Sequence, residues 1–201
     1  MQKLAIVTLL VIGVLAVILI GLLAWAIRSA DADSSAAHVA AYEEALARTE
    51  GMGPAPGSEA EAAAVERLRQ FFGELTPEGV RRMAREVYAP DAFFNDTLKT
   101  VRGAAAIEEY FLHTAKNADS VQVEFHHVGR SGDDFYFRWR MTMRVGALAG
   151  GEPLVSWGVT HFRFDGDGRV VLHQDFWDSA GGLYEHIPLL GGLLRAIRAR
   201  F

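Results

Sequence analysis

The chain predicts an α+β domain, its helices packed on one face of an antiparallel sheet, on three observations. Apolar residues recur at helical spacing through much of residues 59–117; strict alternation marks the runs from residue 120 onward; and a turn-rich tetrad, Asp165-Gly166-Asp167-Gly168, joins the last two extended runs.

Ahead of that domain, Leu4–Ile27 is an unbroken apolar run without one charge. As a helix rising ~1.5 Å per residue it reaches about 36 Å, enough to cross a hydrocarbon core of about 30 Å. It is longer than the about 7–15 apolar residues of a cleaved signal. Residues 1–28 are therefore expected to be a transmembrane anchor, with Trp25 near one interface. Lys3 and the amino terminus precede the span and Arg28 follows it. The positive-inside rule then leans, by about one charge, towards a single-pass protein of the bacterial inner membrane (or a plasma membrane) with its domain outside the cytoplasm. Residues 29–58, rich in Ala, Glu, Gly and Pro, read as a linker. Val39, Tyr42 and Leu46 suggest a short helix behind Ser34 and Ser35, and Gly51–Gly57 breaks it.

The domain is expected over residues 59–182. Ala64, Val65, Leu68, Phe71 and Phe72 form one helical stripe. Thr76-Pro77-Glu78 is a helix start: a capping hydroxyl, proline at the first position, an acid at the positive dipole end. Val80, Met83, Ala84, Val87 and Tyr88 carry that helix to Ala89-Pro90. Ala92–Thr97 reads as a short strand and Gly103–Asn117 as a third helix. Four strands follow: Ser120–Gly129, Phe135–Val145, Leu154–Phe164 and Arg169–Asp178. In the second, Phe135, Phe137, Trp139, Met141 and Met143 alternate with Tyr136, Arg138, Arg140, Thr142 and Arg144, one face on a core and one in water. Residues 183–201 read as a C-terminal amphipathic helix, which either closes the domain's open end or rests its basic side on a membrane.

A formal net charge of -5 gives no sign of a nucleic-acid partner, and the absence of cysteine excludes disulfides and thiolate metal sites. No metal is expected from His126, His127, His161, His173 and Asp175, since no ligand spacing such as HExxH occurs. No cofactor is expected either. The last strand carries the candidate chemistry: Val171, His173, Asp175 and Trp177 share one face, Leu172, Gln174 and Phe176 the other. Imidazole, carboxylate and indole on one face make a pocket wall or a costly core.

Tyr88-Ala89-Pro90-Asp91-Ala92, then Asn95-Asp96, Arg102-Gly103, Ile107 and Tyr110-Phe111, resemble the early part of the nuclear transport factor two-like superfamily, which includes ketosteroid isomerases and SnoaL-like polyketide cyclases. His161–Asp165 with Gly168-Arg169-Val170, then Phe176-Trp177, resemble its last two strands. Over about Val65–Tyr184 the resemblance implies a cone-shaped barrel of a curved antiparallel sheet on three N-terminal helices, with a pocket at one end. It puts Asp96 where the isomerases hold their general base. Their oxyanion-stabilising tyrosine falls at Phe72 and their protonated aspartate at Thr160, which removes the donors an enolate needs and argues against steroid-type isomerisation. SnoaL-like cyclases pair an aspartate with a histidine, which keeps acid–base chemistry open.

The expected catalytic residues are Asp96, His173 and Asp175, and the expected ligand contacts Tyr110, Phe111, Trp139, Thr160 and Trp177. The reading is a membrane-anchored domain binding a small apolar or lipid-derived molecule, with isomerase-, cyclase- or hydrolase-type chemistry an open extension. The alternative is a non-catalytic module that forms a homodimer through its sheet face. Expected partners are the lipid bilayer and a small apolar molecule.

Overall fold

Ser58 accepts a hydrogen bond from the Glu61 amide and Thr76 one from the Gly79 amide, so two helices begin where the capping residues predict. The computed structural model describes residues 35–146 and 148–201, together with Gly21. The contacts divide the chain after Ala37, and the unit His38–Phe201 carries the architecture below.

Its elements are α1 (Ser35–Arg48), α2 (Glu59–Gly73), α3 (Pro77–Val87), β1 (Tyr88–Asn95), β2 (Thr100–Arg102), α4 (Ala104–Asn117), β3 (Ser120–Ser131), β4 (Asp134–Arg144), β5 (Leu154–Phe164), β6 (Val170–Trp177), α5 (Ser179–Gly182) and α6 (Leu190–Arg198). The fold is α+β, as expected: a curved six-stranded sheet in the order β2-β1-β6-β5-β4-β3, packed on α2, α3 and α4. Two features differ from expectation. The sheet does not close into a barrel, because β2 and β3 remain its edges. It is also not wholly antiparallel. β1 and β6 pair in parallel, which a long connection permits and a hairpin does not. The short strand β2 has too few residues to show a period in the sequence.

Alternation along β4 puts Phe135, Phe137 and Trp139 into the core and leaves Tyr136 and Arg138 exposed. The inner core joins Phe135 and Phe137 to Leu68, Phe71 and Phe72 of α2, Val80 and Ala84 of α3, and Ile107 and Phe111 of α4. Gly168 closes the β5–β6 turn at φ 74, where a side chain strains the backbone, and the Asp165 carboxylate accepts from the Asp167 and Arg169 amides.

Residues 38–58, expected within the linker, belong to the domain. Tyr42, Ala45 and Leu46 of α1 pack on Phe93 and Leu172 on the outer sheet face. Polar contacts add to this packing: Arg48 to Asp91 (2.5 Å), Glu44 to Arg102 (2.8 Å), and Arg163 Nη1 to the Leu46 carbonyl (2.7 Å). The spacing of Tyr42 and Leu46 marks the helix but not the surface it packs on, and the flanking Ala-, Glu-, Gly- and Pro-rich composition is why the sequence reads as a tether. The expected transmembrane anchor lies outside the described residues. Among the described residues no helix is long and apolar enough to cross a membrane.

Candidate functional site

The parallel pairing of β1 and β6 builds the site. Asn95 stands opposite Gln174, so the next residues, Asp96 and Asp175, come side by side where β1 ends and β6 runs on to Trp177. The Asp96 carboxyl is held by three donors. Oδ1 accepts from the amides of Leu98 and Lys99 (2.9 Å each), and Oδ2 accepts a short hydrogen bond from the Tyr110 hydroxyl. Trp177 Nε1 donates to the Asp96 carbonyl at 2.8 Å, fixing the indole beside it.

Asp96 and Tyr110 border a cavity of about 230 Å³ whose other walls are almost wholly apolar, among them Phe72, Phe94, Phe111, Met141 and Met143. Leu183, from the segment after α5, completes the lining. Besides this pair the lining side chains with polar atoms are Thr114, which donates to the Tyr110 carbonyl, and the indoles of Trp139 and Trp177, whose N–H groups are already engaged. Burial drives the Asp96 pKa upward. The Tyr110 hydrogen bond and the two amides oppose it, the charge of Asp175 adds to it, and the balance stays above the ordinary carboxyl value. The Tyr110 phenol is pushed up too, first by burial and then by Asp96, so it stays protonated and donates.

Behind the cavity wall runs a second network. The Tyr88 hydroxyl meets His173 Nδ1 at 2.8 Å, and His173 Nε2 meets Asp175 Oδ1 at 3.0 Å. An ionised carboxylate only accepts, so Nε2 carries the proton and Nδ1 accepts from Tyr88, whose own pKa is pushed well up by burial. Thr160 donates to the same Asp175 oxygen and accepts from Trp139 Nε1 at 2.8 Å. His173 and Asp175, two apart on one strand, therefore lean together and bond directly.

The expected site residues thus separate into two layers. Asp96, Tyr110, Phe111, Trp139 and Trp177 line the cavity. Thr160, His173 and Asp175 lie one layer back, bonded to each other and to Tyr88. The reason is Gly158, opposite Trp139 in the β4–β5 pairing: a Cβ there lies 2.3 Å from Trp139 Cζ2, so only glycine lets the indole lie across the strand and cover Thr160. Tyr88 and Gly158 are the functional positions that sequence reasoning missed. Tyr88 reads as the last apolar residue of a helical stripe, and a lone strand glycine gives no direction. A larger groove of about 610 Å³ lies between Lys99–Arg102 and α4, and Tyr110 borders it as well, but none of its other lining groups is a buried acid or base.

The family described as SnoaL-like domain matches residues 65–173, more than half of the chain. No curated protein matches. Among solved structures, an LEH-like epoxide hydrolase from M. tuberculosis superposes with a TM-score of 0.52 at 19% identity, covering 70% of this chain and 96% of that one. A Catenulispora acidiphila protein of ketosteroid isomerase-like fold, solved with trimethylamine, gives 0.52 at 17% identity over 60% of this chain and 88% of its own. A chain from Jannaschia sp. CCS1 assigned to the SnoaL-like polyketide cyclases gives 0.51 at 22% identity, covering 62% and 91%. At such identities the likeness is one of fold.

Proposed function

Because the chain belongs to the SnoaL-like domain family, we propose that its cavity binds a small, largely apolar molecule and that Asp96 moves a proton on it. The observation that carries this reading is the Asp96–Tyr110 pair, a carboxyl of raised pKa and a protonated phenol facing an otherwise greasy hollow. A raised carboxyl pKa brings the group towards the pH at which it both takes and returns a proton. An engineered apolar cavity of about 150 Å³ accepts benzene, so about 230 Å³ suits a molecule somewhat larger than one ring. Ionised Asp96 takes a proton from the bound molecule or from a water beside it; the protonated carboxyl no longer needs the Tyr110 hydrogen bond, and the freed phenol O–H turns to the oxygen left behind. Asp175 and His173 act from the second layer, Asp175 by holding the Asp96 pKa up and His173 by fixing Asp175. This is chemistry of isomerase, cyclase or hydrolase type, the range that the names of its structural neighbours also cover.

The test is native mass spectrometry of the full chain, followed by turnover assays on whatever is bound. Wild type is expected to carry a small apolar molecule, and Met143→Trp, which fills the cavity, to lose it with the fold intact. Asp96→Asn keeps the molecule and loses about 10²–10⁴-fold in turnover, the usual contribution of a general acid or base. A wild-type chain that retains nothing, and binds no apolar ligand offered to it, removes this reading.

The domain's place is part of the same proposal: Leu4–Ile27 anchors it to a bacterial inner or plasma membrane with residues 38–201 outside the cytoplasm. Alkaline phosphatase fused after Phe201 is then active, and an inactive fusion reverses the orientation. A second reading, pairing of two copies through the sheet, is favoured by Val155 and Trp157, both exposed on β5. Sedimentation that shows a dimer for wild type and a monomer for Trp157→Glu supports it.

A further inference from the structure

We propose that α6 docks on an anionic lipid surface. The helix is attached to its domain the wrong way round for a soluble protein. Gly191 is its buried residue, so close to the chain before it that a Cβ falls 1.9 Å from the Glu185 carbonyl oxygen. From the same side Arg195 donates to that carbonyl at 3.3 Å, and Arg198 pairs with Glu185 and with Asp178 at 3.4 Å. Glycine and arginine therefore face the protein.

The apolar side faces out. Leu190, Leu193 and Ile197 fall within one arc of the helix at 3.6 residues per turn. Leu193 is 59% exposed, Ile197 45%, and Phe201, one turn further, fully. Leu189 enters the helix through a γ-turn at φ 68, closed by the Leu190 amide on the Pro188 carbonyl, and its side chain is 94% exposed. Burial normally selects the opposite orientation, so something outside this domain covers the face.

Charge selects the cover. From His186 to Phe201 the chain holds Arg195, Arg198 and Arg200 and no acid, although its formal net charge is -5. Arg200 follows the last turn of α6, its amide on the Ile197 carbonyl, and is exposed beside Phe201, the placement in which an arginine stem lies along lipid and its head reaches phosphate, while Arg195 and Arg198 stay on the domain side. A second copy of this chain brings the same cations to the contact and is disfavoured by repulsion. The apolar run Leu4–Ile27 gives the same chain its own reason to be at a bilayer.

The chain has no cysteine, so a single Ile197→Cys substitution carries one polarity-sensitive fluorophore on the full-length protein. The protein is held in neutral detergent, then reconstituted into vesicles of phosphatidylcholine alone or of phosphatidylcholine with phosphatidylglycerol. The expected result is a blue-shifted emission, quenched by lipid-borne quenchers, on the anionic vesicles only. Arg200→Gln then lowers the ratio of docked to free helix about fivefold, the weight of one cation at an anionic surface. A Lys116→Cys probe on exposed α4 stays unshifted on both. An Ile197 probe with the same polar emission on both vesicles overturns the proposal. So does a shift that grows with protein concentration in detergent, which assigns the face to self-association.

Discussion

His161 and His173 lie on adjacent strands and face opposite sides of the sheet, each 2% exposed. Each meets a tyrosine hydroxyl at Nδ1 and an aspartate at Nε2: Tyr42 and Asp134 for His161, at 2.7 and 2.8 Å, Tyr88 and Asp175 for His173, at 2.8 and 3.0 Å. The bonds match and the electrostatics do not. Asp134 also pairs with Arg163 at 2.5 Å, and although burial works upward on it, the bonds from Arg163 and His161 hold it below the ordinary carboxyl range. Asp175 has no such cation. Among the described residues no lysine or arginine side chain bonds either Asp175 or Asp96, and the charge of Asp175 works upward on the Asp96 pKa. A compensated relay fastens α1 to the sheet, while an uncompensated one stands behind a cavity. On the proposed function, the difference separates a structural network from one that serves proton transfer.

The largest effects come from deleting the imidazoles. His173→Ala is expected to cost about 4 kcal/mol, because it leaves a cavity and strands the Tyr88 hydroxyl where no water reaches. His161→Ala costs about 2–3 kcal/mol, since Tyr42 is only half-buried and Arg163 still holds Asp134. Equal losses in urea denaturation break the comparison.

Neutralising the acids sharpens it. Asp134→Asn forfeits a charge-assisted bond to Arg163 and loses about 2 kcal/mol, whereas Asp175→Asn loses under about 1 kcal/mol. Asp96→Asn raises stability at neutral pH, because it removes a desolvated carboxylate. A fall in stability with Asp96→Asn removes the claim that this acid is held at a cost.

The smallest effects lie in the pH dependence, where the two sides slope oppositely. Burial lowers the His161 pKa from 6.5, with Arg163 adding to that and Asp134 opposing, so below about pH 6.5 the unfolded chain binds a proton that the folded chain refuses. Stability falls there as pH falls, and His161→Gln flattens the slope. Asp96 keeps its proton above 3.8 when folded, so its contribution is lost as pH rises through its raised pKa, and Asp96→Asn flattens that slope instead.

Periodicity made the helices of residues 59–117 and the long strands legible, because one buried face repeats at 3.6 or at 2.0 residues. It also put His173, Asp175 and Trp177 on one face. What it could not carry is pairing between distant strands. The parallel contact of β1 with β6 is what brings Asp96 beside Asp175, and nothing local encodes it. The depth order was hidden for a similar reason: Thr160 and Asp175 share a face with Trp177, yet Trp139 lies over Gly158 and sets Thr160 behind the wall. Helix α1 was legible from Val39, Tyr42 and Leu46, but its docking on the outer sheet face was not, because that contact is made with strands distant in the chain.

The most direct test is a carbon-13 titration of the Asp96 side-chain carboxyl in the full-length protein, assigned by comparison with Asp96→Asn. A midpoint clearly above 3.8, falling when Asp175→Asn removes the neighbouring charge, is the expected result. A midpoint at or below 3.8 makes Asp96 an ordinary solvated acid and contradicts the account.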